Sequence, residues 1–149
     1  MSNNETSAIR DLIKVLNDGV EFYTDAKNEL KGSGYESVLQ DMIDVRQGAL
    51  ARLQPFVYSR EGEIETGHTF VGTVRKTYAD VLASIKSSKA SKSQTYIVQL
   101  EELEDRTLEF IKKALDEASS VDATSALNFI YATLQQCHNR MRSLKRNVA

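Results

Sequence analysis

The sequence is short of residues that break helices and of residues that staple folds. Its 149 residues include one proline and seven glycines, with no Pro/Gly-rich run, so long uninterrupted helices are open to it. Cys137 is the only cysteine, which excludes an intrachain disulfide and fits a reducing compartment. No apolar run approaches the roughly 18 residues of a membrane span. The first residues, MSNNETSAIR, lack the apolar core of a signal peptide. A cytoplasmic location is therefore expected. Charge of either sign is not in excess: a net charge of −2 gives no global attraction to nucleic acid or to an anionic membrane, and neither partner is expected. A phosphate loop is missing too, because Gly32-Ser33-Gly34 has neither a strand before it nor a Lys-Ser/Thr after it.

What is present is apolar periodicity of about 3.6 residues in four long segments. The first carries Ile9, Leu12, Ile13, Leu16, Val20, Tyr23 and Leu30 and stops at Gly32-Ser33-Gly34. The second begins near Tyr35 and carries Val38, Leu39, Met42, Val45, Ala49, Leu53, Phe56 and Val57, with a kink or break expected at Pro55. The third, from about Ser93 to Ala118, carries Tyr96, Ile97, Leu100, Leu103, Ile111 and Leu115. After a short SSVD link, in which Asp122 is the expected N-cap, the fourth carries Leu127, Ile130, Leu134, Cys137, Met141 and Leu144. The connection over about 61–93 is too long to be structureless in a compact domain. Its Val71, Val74, Tyr78, Val81, Leu82 and Ile85 predict a short fifth helix between two solvated linkers, REGEIETG and KSSKASKS. Residues 1–149 thus form one all-α domain, two antiparallel helical hairpins joined by a long crossover.

The first helix reads AIRDLIKVLNDGVEFYTDA and the second continues through VRQGALARLQPFV. The third gives LEELED and then LEFIKKAL, and the fourth gives YATLQQCHNRMRSL. Together these strings resemble a small bacterial family of ferritin-like four-helix-bundle proteins catalogued as a domain of unknown function, with LNDGVEFY the most distinctive. The resemblance covers nearly the whole chain and implies a ferritin-like fold, in keeping with the loop lengths, but no settled activity. The wider superfamily implies a di-metal carboxylate site built from two glutamates and two Glu-x-x-His motifs. The matching places read Glu21, Asp44-x-x-Gln47, Glu101 or Glu104, and Gln135-x-x-His138. Each Glu-x-x-His motif departs from the pattern, the first lacking its His and the second its Glu.

Helical wheels ask which polar residues face inward, independently of any relative. Glu21 lies nearly opposite the apolar arc of its helix, and Asp44 points away from its own. Three ionisable residues fall inside the arcs: Arg46 between Met42 and Leu53, Glu104 between Leu100 and Ile111, and His138 between Leu134 and Met141. Folding the hairpins about their turns brings all three to mid-bundle height, near Tyr23. A buried charge without a partner is very costly, so a cluster of Arg46, Glu104, His138 and Tyr23 is expected, with Thr107 and Tyr131 as further neutral partners. The first reading is a non-catalytic bundle, free of cofactors and able to form a homo-oligomer, in which this network stands where relatives hold metal. The alternative is a metal-binding protein handling iron, oxygen or peroxide, with Glu104, His138 and Glu101 as ligands to iron, zinc or manganese. A guanidinium at the same level speaks against the alternative. A His–Glu acid/base pair is a third possibility, but neither a nucleophile nor a pocket is legible. His68 reads as an exposed loop residue and Cys137 as a small core hydrophobe. Val15 and Phe22, at the edge of the first arc, are expected either to meet a second copy or to pack under the crossover.

Overall fold

The structure, a computed structural model, describes residues 3–68 and 92–148. It contains helices α1 (Asn3–Glu29), α2 (Glu36–Glu61), α3 (Lys92–Glu117) and α4 (Val121–Val148), and no strand among the described residues. The expected fifth helix falls on residues outside those described.

Each helix ends for a local reason. After α1 the chain turns through Gly32 and Gly34 at φ of 84° and 91°, a region that only glycine enters without strain. The Ser33 amide donates to the Leu30 carbonyl at 3.0 Å, and the Glu36 carboxylate accepts from the Gly32 amide. Helix α2 ends at Gly62, φ 76°, whose amide donates to the Tyr58 carbonyl at 2.8 Å. Helix α2 runs through Pro55, so of the expected kink or break the break does not occur. Proline cannot donate to the carbonyl four residues back, but Ala51 and Pro55 both lie on the exposed face, away from the core. The cap of α4 is Ser120 rather than Asp122: its hydroxyl accepts from the Ala123 amide at 3.2 Å.

Helix α1 packs against α2 and α3, and α4 packs against α3 and α2. The diagonal pairs, α1 with α4 and α2 with α3, make no close backbone approach. Lys92 at the start of α3 reaches Glu29 at the end of α1 (2.7 Å), so these neighbours run antiparallel. Arg140 late in α4 reaches Asp41 early in α2 (3.0 Å), so these do as well. The two hairpins therefore lie side by side, and the chain between Glu61 and Lys92 links opposite ends of the bundle.

The buried apolar side chains divide into two clusters. One holds Ile9, Leu12, Leu16, Leu53, Ile111, Leu127 and Leu134; the other holds Tyr23, Leu39, Met42, Ile97, Leu100, Cys137 and Met141. Each fully buried Leu or Ile contributes about 1.5–3 kcal/mol, so these two layers carry the stability of the fold. Val15 and Phe22 are buried within the chain, which removes them as a face for a second copy. The stretch REGEIETG is not a solvated linker over its whole length. Gln54 exchanges two hydrogen bonds with the Glu65 backbone (2.7 and 2.9 Å), and Asn17 donates to the Gly67 carbonyl at 3.0 Å. A polar backbone laid against helices must find such partners.

Candidate functional site

Between the two apolar clusters lies a charged layer. Arg46 follows Leu39 and Met42 on the inward line of α2 and precedes Ala49 and Leu53, while Glu104 follows Ile97 and Leu100 on α3 and precedes Ile111. Both side chains are 0% exposed, and Arg46 Nη2 donates to Glu104 Oε1 at 2.5 Å. Tyr23 on α1 donates its hydroxyl to the same oxygen, also at 2.5 Å. The Arg46 guanidinium carbon stands 4.6 Å from the centre of the Tyr23 ring, a cation–π contact, and Nη1 donates to the Met42 carbonyl at 3.3 Å. Because α2 and α3 are diagonal, the long Arg46 side chain is what joins them here. Gly19 on α1 makes the room: a Cβ there would lie 2.4 Å from Arg46 Nε and 2.7 Å from Cδ.

The electrostatics keep Arg46 charged and its phenol and thiol neighbours protonated at neutral pH. Burial alone would lower the pKa of Arg46, but Glu104, Tyr23 and Cys137 outweigh it and the value is raised. Burial pushes the Tyr23 phenol well above its usual range, and the neighbouring carboxylate adds to the effect. Burial, then Glu104, pushes the Cys137 thiol up to about 11. At neutral pH the phenol is a hydrogen-bond donor, and the thiol, in its unreactive form, behaves as the small hydrophobe expected. Glu104 Oε2 and Arg46 Nε have no hydrogen-bond partner among the described residues.

The other residues read from the sequence are placed elsewhere. His138 does not join Arg46 and Glu104; its Nε2 meets Asp105 Oδ1 at 2.5 Å on the outer seam of α3 and α4. Neighbours on a helix are about 100° apart. Cys137 and Glu104 take the inner positions, which turns His138, partly buried, and Asp105, exposed, toward the outer seam. Thr107 is buried but bonds its own helix, at the Leu103 carbonyl (2.8 Å), and Tyr131 packs half-buried against the Ile9–Leu134 cluster. Glu101 is buried on the same seam, with Lys145 Nζ 3.5 Å from its carboxylate. The metal set Glu104, His138 and Glu101 is therefore not assembled, since Glu104 is engaged by the guanidinium. Donor atoms of Glu101, Asp105 and His138 instead lie within 4.8 Å of one another. Of the places the superfamily pattern would use, Asp44 and Gln47 are exposed and Glu21 is half-exposed. No interior set of carboxylates and histidines forms among the described residues, and a di-metal centre does not fit those present.

Two buried carboxylates escaped the sequence reading. Asp18, with its side chain 2% exposed, meets His68 Nδ1 at 2.7 Å, so His68 is a half-buried partner rather than a free loop residue. Asp18 lies on the stripe of Val15 and Phe22, which was the available signal. Glu5, fully buried, accepts from the Ser119 and Ser120 amides (3.0 and 3.2 Å) and the Ser120 hydroxyl (3.1 Å). Burial alone would raise its pKa, but those hydrogen bonds prevail and lower it. Its signal was a position four residues before Ile9, on the apolar line of α1.

No curated protein and no solved structure matches the chain. A sequence-family profile matches residues 4–117, and those residues include α1, α2, the whole of α3 and both members of the central ion pair. The chain belongs to the family described as a domain of unknown function (DUF2383).

Proposed function

We propose that the protein is a non-catalytic bundle of the ferritin-like type, a structural or interaction protein whose centre holds an ion pair in place of a metal centre. The carrying observation is the Arg46–Glu104 pair, fully buried between two apolar layers. A guanidinium at this point repels a cation, and Glu104 Oε1 is occupied by both Arg46 and Tyr23. The ferritin-like assignment is supported by two antiparallel hairpins whose connection must traverse the bundle. The pair's work is to fix register. It ties the diagonal helices α2 and α3, which have no close backbone contact of their own. Buried ion pairs often add little net stability, and setting a unique arrangement is their best-attested use.

The test replaces both partners at once, Arg46→Met with Glu104→Leu, and compares metal content, melting and NMR line widths with wild type. The expected result is a folded protein of equal or greater stability with broadened core resonances, as helix register loosens. Stoichiometric iron, zinc or manganese in wild type that disappears in the double variant would overturn the reading. Unchanged line widths would remove the register role.

A further inference from the structure

We propose that Glu101, Asp105 and His138 bind one first-row divalent metal ion on the outer seam of α3 and α4. This is a single-ion site outside the core and independent of the interior pair. Glu101 and Asp105, four residues apart, share one face of α3, and His138 faces them from α4. One donor atom from each lies within 4.8 Å of the other two. Ligands around a zinc-sized ion sit about 2.0–2.2 Å from it, so small side-chain rotations of Glu101 and Asp105 close the set.

Two further observations point to a ligand. Glu101 is nine-tenths buried, yet among the described residues its charge is met only by Lys145, half-exposed and 3.5 Å away. A half-exposed lysine at that distance holds the carboxylate loosely and yields readily to a divalent cation. His138 is held through Nε2 by Asp105 alone, while its buried Nδ1 has no hydrogen-bond partner among the described residues. The ring therefore pivots toward an ion without breaking a second bond. Two carboxylates and a neutral imidazole balance a 2+ charge. The mixed oxygen and nitrogen set suits zinc, manganese or ferrous iron and is poor for calcium or magnesium, which take oxygen ligands. Three protein ligands leave a coordination position to water.

The experiment is calorimetric titration of untagged protein with Zn2+ and with Mn2+. One ion per chain is expected. His138→Ala, Asp105→Asn and Glu101→Gln should each weaken binding by more than about 10-fold, the least that loss of even an outer-shell partner costs. Lys145→Gln should tighten it, because a competing cation is removed. His68→Ala, Cys137→Ser and the interior double variant should bind as wild type does, which separates this site from the central pair. Circular dichroism of each variant confirms the fold, and His138→Gln replaces His138→Ala if the latter is not folded. Absence of saturable binding, or binding that survives loss of His138, would overturn the proposal.

Discussion

Glu104 and Glu5 are both fully buried carboxylates, and the molecule accommodates them in opposite ways. Glu104 sits at mid-bundle and is answered by side chains, a guanidinium and a phenol. Glu5 sits at one end of the bundle and is answered by two amides of the link ahead of α4, those of Ser119 and Ser120, and by the Ser120 hydroxyl. The first solution brings a full counter-charge into the core, so each partner depends on the other. The second uses backbone amides of the link between α3 and α4, which are present whatever side chains surround them. Burial of charge is thus costly to undo only where the partner has nowhere else to go.

Breaking the first solution should give the largest effect. Glu104→Ala leaves Arg46 charged and dry in the core, and a loss of about 3–5 kcal/mol in denaturant melts is expected. A loss below about 1 kcal/mol would mean that water or another acceptor reaches the guanidinium. The same layer can be disturbed without touching either charge. Gly19→Ala would normally stabilise a helix interior, but its Cβ collides with Arg46, so a loss of about 1–3 kcal/mol is expected. Glu5→Ala removes an acceptor for the link amides rather than a counter-charge, and should cost about 0.5–1.5 kcal/mol. Its pH dependence follows from the lowered pKa: the contribution is complete above the ordinary value of 4.5 and lost as pH falls below it through the folded value. Melts of wild type and Glu5→Ala should therefore converge in acid; a gap that persists at low pH would contradict a role for the ionised carboxylate as acceptor. The smallest effect has the opposite sign. At Gly48 an added Cβ meets nothing within 4 Å, so Gly48→Ala should stabilise by about 0.5–1 kcal/mol.

Periodicity made the helices legible, and Gly32-Ser33-Gly34 made the first hairpin turn legible. The same wheels carried Arg46, Glu104 and Tyr23 to one level, because a residue on an apolar line has little choice of direction. They misplaced His138, since a wheel cannot say which of two adjacent residues, Cys137 or His138, takes the inner position. Helix rotation decides that, and it is set by packing against α3. The break expected at Pro55 misled for a related reason: the cost of the proline depends on whether it faces the core or the surface, a tertiary fact. The burial of Asp18 and Glu5 could be read from the apolar lines they share, but their partners could not. Their partners lie 50 and more than 110 residues away, at a loop and a helix start that no local pattern connects to them.

The notch at Gly19 also bears on how such a chain can change over time. Positions 19 and 46 share one volume, so they cannot drift separately. A side chain at 19 is accommodated without cost only after Arg46 has been exchanged for something shorter, and once it is in place the arginine returns only at that cost. Removing either Arg46 or Glu104 alone strands the other charge in the core, so the two have to go together. The order of substitutions is constrained, and a single missing methyl group sets it.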